Sequence, residues 1–152
     1  MKIYLAGPLF SEAERAWMSA LKGRILLIGA KLGSDVEVLW PWEFISEAEV
    51  IDLGKKAGVE VFRRCKAHLE SADILVAMLD GSQVDDGTAW EIGYYFALKK
   101  GRIIGIRTDF RRAGETEGAK VNAMIEFSAD TIVNTKRELL DEIKAHLKGR
   151  AH

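Results

Sequence analysis

Short apolar runs alternate with longer amphipathic stretches along the 152-residue chain. Lys2–Ala6 is an apolar run that stops at Gly7-Pro8, which is typical of a β-strand followed by a tight turn. Residues 74–79 are nearly all apolar, as expected for a central parallel strand that is buried on both faces. Three further runs predict the remaining strands, at residues 36–40, 102–107 and Thr131–Val133.

Helix starts are marked by two capping-box patterns, in which a serine is followed three residues later by a glutamate. Ser11 with Glu14 predicts the first helix, and Ser46 with Glu49 predicts a long second helix that runs to about Ser71. Glycines within the second helix are weak points because glycine is a poor helix former; they are Gly54 and Gly58. Further helices are predicted at residues 87–100, ended by Gly101, at 121–127 and at 135–148.

This alternation of strands and helices predicts a flavodoxin-like (Rossmann-like) α/β fold. We expect a three-layer sandwich with a five-stranded parallel sheet, in a single domain that spans residues 1–152. Ligands of such sheets bind outside the carboxyl ends of the strands, at the switch in strand order. The loops expected there are residues 7–10 and 80–86.

The amino-acid composition argues against some classes of binding partner and ligand. With 22 basic and 23 acidic residues the net charge is -1, so no basic excess exists to bind a nucleic acid polymer. One cysteine, Cys65, excludes an intrachain disulfide, and with the absence of a signal peptide or a long apolar run this favours a cytoplasmic protein. Cys65 itself reads as a small packing residue. The three histidines, at positions 68, 146 and 152, have no metal-ligand spacing, so no metal is expected.

Glu91 is the strongest candidate for chemistry. It follows an acidic loop and lies in the first or second turn of a helix, on one face with Thr88, Tyr94 and Tyr95, whereas Trp90 and Ile92 point elsewhere. We expect the helix dipole to favour the ionised carboxylate, which nucleophilic attack on a sugar carbon requires.

Other candidates surround the same predicted cleft. Tyr4, near the end of the first strand, can donate a hydrogen bond to Glu91, and Gly7 lets the backbone approach a ligand closely. Of Asp85 and Asp86 we expect one to cap the helix and the other to face the cleft. Apolar walls for a base are expected from Leu9, Phe10, Trp40, Trp42 and Phe44.

Two more aspartates flank the third strand. Asp73 immediately precedes it, at the end opposite the predicted cleft, and reads as a junction residue. Asp80 ends the strand on the cleft side and is the better placed of the two.

Four segments resemble the nucleoside 2-deoxyribosyltransferase family, in the order in which the family has them. They are YLAGPLF at 4–10, ADILVA at 72–77, DDGTAWEIGY at 85–94 and NAM at 122–124, of which the third is the most specific. The resemblance implies a flavodoxin-like fold and an enzyme of nucleotide salvage. Such an enzyme exchanges or hydrolyses the base of a 2'-deoxynucleoside through a covalent glutamyl-deoxyribosyl intermediate. Its partners are a deoxynucleoside and a free nucleobase, and it needs no cofactor.

The resemblance also implies roles for single residues. Glu91 matches the nucleophile, Tyr4 the tyrosine that orients it, and Asp85 a carboxylate that holds the sugar hydroxyls. Asp73 matches an aspartate linked to protonation of the departing base, and Phe10 a residue near the base.

The last matching segment implies an oligomer. Asn122 and Met124 match residues that the family lends to the site of the neighbouring subunit, so we expect a homodimer or a higher homo-oligomer.

Two rival functions fit part of the pattern. A 2'-deoxynucleoside 5'-monophosphate N-hydrolase would need a phosphate site, for which the candidates are Arg111, Arg112, Lys120, Thr88 and Ser82. The acidic loop at residues 84–86, Val-Asp-Asp, would repel a phosphate, so nucleosides are favoured. A non-catalytic nucleotide-binding module with magnesium on the aspartates at 80, 85 and 86 is a more distant alternative.

Overall fold

The computed structural model describes residues 1–149, so His152 lies outside the described residues. All five predicted strands form one parallel sheet with the order β2-β1-β3-β4-β5, which confirms the flavodoxin-like prediction. The strand order reverses between β1 and β3, so the expected ligand crevice lies at their carboxyl ends. The strands are β1 Lys2–Ala6, β2 Glu37–Leu39, β3 Ile74–Met78, β4 Arg102–Ile106 and β5 Thr131–Val133.

Six α-helices cover the two faces of this sheet. Side chains alternate along a strand, so Ile3 and Leu5 of β1 enter one core, and Tyr4 and Ala6 enter the other. The first core is closed by α1 and α6, and the second by α3 and α4. The helices are α1 Glu12–Lys31, α2 Glu47–Leu53, α3 Ala57–Ser71, α4 Asp86–Leu98, α5 Ala123–Glu126 and α6 Lys136–Gly149. Within residues 1–149, no helix combines the length and apolar character that crossing a membrane requires.

Helix boundaries follow the capping chemistry, with two corrections. Both capping boxes are confirmed, at Ser11 and at Ser46. The predicted long second helix is wrong, because Gly54 takes φ +51° and a short 3₁₀ turn separates α2 from α3. Helix α4 ends before Gly101, since Lys99 adopts the left-handed conformation at φ 49°.

Gly101 joins α4 to β4 at a point where the backbone has no free space. A Cβ placed there would overlap the carbonyl oxygen of Asp73 and the hydroxyl of Tyr95. That hydroxyl donates a 3.1 Å hydrogen bond to the carbonyl of Ala72 in the buried core. The junction therefore excludes every residue with a side chain.

We expect Gly101→Ala to lower the free energy of unfolding by about 2 kcal/mol, because overpacking at a rigid backbone contact cannot relax. The measurement is urea-induced unfolding followed by circular dichroism. Gly23→Ala is the matched control: Gly23 is exposed within α1, nothing lies within 4 Å of its added Cβ, and alanine should raise stability by about 1 kcal/mol. A Gly101→Ala protein as stable as the wild type would contradict this account of the junction.

Candidate active site

A cavity of about 940 Å³ opens at the carboxyl ends of the strands, within the size range of small-molecule sites. The turn after β1 supplies Gly7, Leu9 and Phe10, and the start of α4 supplies the opposite wall. Both loops that we expected at the crevice, 7–10 and 80–86, contribute residues to it. Helices α2 and α3 add a largely apolar wall.

Tyr4 and Glu91 are joined by a 2.5 Å hydrogen bond from the Tyr4 hydroxyl to Oε1 of the carboxylate. The sheet explains this contact, because alternation along β1 turns Tyr4 toward the face that α4 covers. Tyr4 is fully buried, whereas Glu91 also lines the cavity. The pair thus fixes a carboxylate at the boundary between the core and the ligand space.

The carboxyl group of Glu91 is partly protonated near neutrality. Burial raises its pKa to about 7, the negative charge of Asp85 adds to the rise, and the Tyr4 hydrogen bond opposes it. The expectation that the helix dipole favours the ionised form is wrong in its net effect. Glu91 is the sixth residue of α4, beyond the first turn to which the dipole effect is largely confined.

Tyr4 remains a donor because burial, followed by the charge of Glu91, raises the pKa of its hydroxyl. Cys65 of α3 also lines the cavity, and burial raises the pKa of its thiol, so it stays neutral. We expected Cys65 only to pack, and the structure also places it at the wall of the cavity. Phe44 packs behind Tyr4, with ring centroids 6.0 Å apart, and stacks on His68.

Asp85 both caps α4 and faces the cavity. Its Oδ2 accepts 2.9 Å hydrogen bonds from the backbone N–H and the hydroxyl of Thr88, and both residues line the cavity. Asp86 instead accepts from the backbone N–H of Gly87 and is absent from the cavity wall. The prediction that one aspartate caps the helix and the other faces the cleft is therefore wrong, since Asp85 does both.

The loop that leads to Asp85 is braced by Asp80 and Arg107. The carboxylate of Asp80 accepts hydrogen bonds from backbone amides of the neighbouring loop, so it points away from the cavity. Arg107 is 3% exposed and donates only to backbone carbonyls, those of Leu79, Gly81 and Arg111. Sequence reasoning missed Arg107, because an arginine at the end of an apolar strand gives no signal of the carbonyls around it.

Aromatic side chains form the cavity mouth. Phe10 and Trp42 line it as expected, whereas Trp40 is only 4% exposed and belongs to the core. Trp90 lines the cavity too, although the helical spacing predicted that it would point elsewhere. The reason is that Trp90 lies beside the wall formed by α3, where its ring meets that of Phe62.

In addition to Asp86, three predicted site residues lie apart from the cavity that Glu91 lines. Asp73 sits at the amino end of β3, where its carboxylate accepts a 2.8 Å hydrogen bond from the backbone N–H of Lys2. Asn122 and Met124 line a second cavity of about 720 Å³, which Ile92 and Phe96 of α4 also line. The structure of one chain brings Tyr4, Gly7, Phe10, Asp85 and Glu91 together, and leaves these three and Asp86 outside that group.

The charged side chains that line the cavity are acidic, and Arg15 lies behind the lining residues Leu9, Phe10 and Trp42. None of the described residues lining it is lysine or arginine. Of the five candidates for a phosphate site, only Thr88 lines the cavity. Arg111 pairs with Asp109 instead, and Lys120 reaches toward the carbonyl of Ile132. Within residues 1–149 no three metal-ligating side chains come together.

A family model described as Nucleoside 2-deoxyribosyltransferase matches residues 3–124. The chain therefore belongs to this family, whose members cleave or transfer the N-glycosidic bonds of nucleosides. The site described above lies within the matched residues. No curated protein sequence matches the chain.

Solved structures share the fold at low sequence identity. The 2-deoxyribosyltransferase of Bacillus psychrosaccharolyticus has a TM-score of 0.73 at 24% identity, over 93% of this chain and 91% of its own. A conserved protein from Enterococcus faecalis V583 has a TM-score of 0.67 at 24% identity, over 97% and 99%. The CMP N-glycosidase BcmB of Clostridium botulinum has a TM-score of 0.52 at 17% identity, over 97% and 100%.

The buried carboxyl group predicts a pH-dependent stability difference between the wild type and Glu91→Gln. The folded state raises the pKa of Glu91 from 4.5 to about 7. The contribution of this carboxyl group to the free energy of unfolding is therefore complete below pH 4.5, and it is lost as the pH rises from 4.5 through 7. Glutamine stays neutral and can still accept from Tyr4. We expect the variant to gain about 2–3 kcal/mol over the wild type between these limits.

Urea unfolding of both proteins at a series of pH values measures this difference directly. A gap that does not change between pH 4.5 and pH 8 would show that Glu91 is not buried as a neutral acid.

Proposed function

We propose that this protein is a nucleoside 2-deoxyribosyltransferase that exchanges the base of 2'-deoxynucleosides through a covalent intermediate on Glu91. The observation that carries the proposal is the Tyr4–Glu91 hydrogen bond at the wall of a ligand-sized cavity. Tyr4 holds Oε1, so the second oxygen, Oε2, is the one available to attack a sugar carbon. Family membership indicates that an N-glycosidic bond is cleaved, and the geometry of the Tyr4–Glu91 pair supports Glu91 as the nucleophile.

In the first half of the reaction Oε2 of Glu91 bonds to the anomeric carbon of the sugar. The bond from that carbon to the base nitrogen breaks, and its electron pair leaves with the base, which takes up a proton. Positive charge that builds on the sugar ring is stabilised by the carboxylate beneath it, as in retaining glycosidases. Asp85 lies on the same wall, and in this proposal its carboxylate accepts hydrogen bonds from the sugar hydroxyls.

In the second half a ring nitrogen of another base attacks the same carbon and gives up its proton to solvent, and Glu91 leaves as a carboxylate. Two displacements give net retention of configuration at the sugar. Water in place of the second base gives hydrolysis, so exclusion of water from the cavity sets the ratio of transfer to hydrolysis. We do not propose Asp73 as the donor of the proton that neutralises the departing base. Its carboxylate lies at the amino end of β3, opposite the end at which the cavity opens.

The acidic cavity favours a nucleoside over its 5'-monophosphate as substrate. A bound phosphate needs cationic or hydrogen-bonding partners, and the lining residues offer three carboxylates, of Glu47, Asp85 and Glu91, and no lysine or arginine. Like charges brought together in a partly desolvated site raise the free energy of binding.

We expect Glu91→Ala to lower base exchange by more than about 10⁴-fold, because removal of a nucleophile removes the covalent route. The assay incubates deoxyinosine with adenine. Deoxyadenosine shows transfer, and free 2-deoxyribose alone shows hydrolysis. Tyr4→Phe keeps the carboxylate and loses only its donor, so it should retain part of the activity.

Two controls complete this assay. Deoxyinosine 5'-monophosphate in place of deoxyinosine should turn over more slowly, and faster turnover would favour the N-hydrolase. The intact mass of the wild type, quenched during turnover, should rise by one deoxyribosyl unit, and that of Glu91→Ala should not. Base exchange that persists in Glu91→Ala would refute the assignment of Glu91 as the nucleophile.

We also propose that the protein acts as a homodimer in which Asn122 and Met124 complete the site of the partner. Exposed apolar side chains support an interface around the second cavity: Met124 is 79% exposed, Phe127 83% and Phe96 54%. Such a patch on one chain is typical of a protein–protein contact. Asn122 caps α5 with its side-chain oxygen, so it is held at the surface rather than in the core.

Mixing two inactive variants tests this sharing. Asn122→Ser keeps an oxygen for the cap and loses the amide, and Glu91→Ala loses the nucleophile. If sites are shared across a dimer, a mixture after subunit exchange should regain about a quarter of wild-type activity, since half the dimers are mixed and each has one intact site. A monomer by sedimentation equilibrium, or a mixture as inactive as its components, would contradict the proposal.

A further inference from the structure

The cavity is divided into a polar side and an apolar side. Its polar side chains cluster at the start of α4, where Asp85, Thr88 and Glu91 face the ligand space. Across from them, α2, α3 and the segment that precedes α2 present aliphatic and aromatic groups, among them Ile45, Val50, Val61 and Phe62. A nucleoside has the same division, with a hydroxyl-bearing sugar and a flat aromatic base. The sugar therefore fits the α4 side, and the base fits the apolar side.

Few groups on the apolar side can read the edge of a base by hydrogen bonds. The hydroxyl of Ser46 is engaged with Glu49 in the capping box of α2. Glu47 is the other polar residue of that wall. Recognition of the base on this side must therefore depend mainly on contact with its ring faces.

Trp90 offers such a contact, directly beside the nucleophile in the chain. It lines the cavity and keeps 46% of its surface exposed, which is a large fraction for an indole next to a core helix. One face of the ring lies on Tyr94, with centroids 5.0 Å apart and planes 9° from parallel. Phe62 approaches at 65° with centroids 5.5 Å apart, so the two rings form a corner.

The orientation of Trp90 is fixed from behind. The hydroxyl of Tyr94 donates a 2.5 Å hydrogen bond to Glu70, and Lys66 donates to the same carboxylate oxygen at 2.6 Å. The Lys66 ammonium also lies 5.4 Å from the centroid of the Tyr94 ring. These contacts hold Tyr94, which in turn presents a flat surface to the indole. A preorganised aromatic surface loses little entropy when a ligand stacks on it.

We propose that the indole of Trp90 is the surface on which the nucleobase stacks, and that it makes bicyclic bases bind more tightly than monocyclic ones. This inference rests on the proposed function, because it assumes that the cavity takes a nucleoside. Stacking is tolerant of base identity, since every base has a π-face, and its strength increases with the area in contact. Trp90 is thereby a specificity-determining residue, whereas Tyr94 is a positioning residue that acts through it.

The test measures binding of free adenine and free cytosine by calorimetry in the Glu91→Gln protein, where no turnover occurs. Trp90→Leu in this background should weaken adenine binding about 5- to 150-fold, the range that loss of one base–aromatic stack produces, and should weaken cytosine binding less. Trp90→Phe, which restores an aromatic ring of smaller area, should recover most of the loss.

A matched substitution controls for general effects of losing an indole. Trp17→Phe changes a tryptophan of α1 that lies under Lys136 on the far side of the sheet, so adenine binding should stay within twofold of the parent. Tyr94→Phe keeps the stacked ring and loses its bond to Glu70. In the protein that retains Glu91 it should raise KM for deoxyadenosine while leaving kcat nearly unchanged.

The outcomes separate this inference from the proposed function. Adenine affinity that is unchanged in both Trp90 variants, or equal losses for adenine and cytosine, overturns the stacking role while Glu91-dependent exchange still stands. If Trp90→Leu does not fold, Trp90→Phe decides alone, since a smaller ring must lower the preference for adenine over cytosine. Trp90-dependent adenine binding in a protein that exchanges no bases would refute the transferase and retain the base site.

Discussion

One buried hydrogen bond, from the phenol of Tyr4 to the carboxylate of Glu91, ties the chemistry of this protein to its fold. The donor comes from β1 and the acceptor from α4, two elements that meet only because the strand order reverses between β1 and β3. Neither residue could be held so firmly on a loop, because a loop lacks the packing that fixes both backbones. The crevice predicted by the topology is thus also a place where a carboxylate is partly shielded from water.

The same burial has opposing effects on reactivity. It raises the pKa of Glu91, which lowers the fraction ionised at neutral pH, yet it would also strengthen the electrostatic interaction between the ionised form and the cationic sugar of the proposed reaction. Tyr4 offsets part of the first effect by donating to the charged form. Arg107 and Asp80 act at a distance by bracing the loop that ends at Asp85, so the second carboxylate of the cavity is fixed as well.

The sequence allowed the sheet, both capping boxes, and the group Tyr4, Gly7, Phe10, Asp85 and Glu91 to be predicted, because each depends on local periodicity or on a recognisable motif. Predictions failed where distant contacts decide. Gly54 ends α2 with a positive φ, which the sequence allows at a glycine but does not require, and Trp90 turns into the cavity because α3 lies beside it. The net effect of burial on Glu91 likewise depends on elements far away in the chain.

Helix α2 contains no fully buried residue, and a 3₁₀ turn at Gly54 separates it from the rest of the framework. By contrast, Glu91, the proposed nucleophile, stands on a helix whose inner side chains, Ile92 and Tyr95, are among the most buried in the protein. Replacements in α2 therefore alter the wall of the cavity without opening voids in either core. During evolution, substitutions in α2 can therefore change which ligands the cavity accepts, whereas α4, which carries Glu91, is held more strictly by its place in the core.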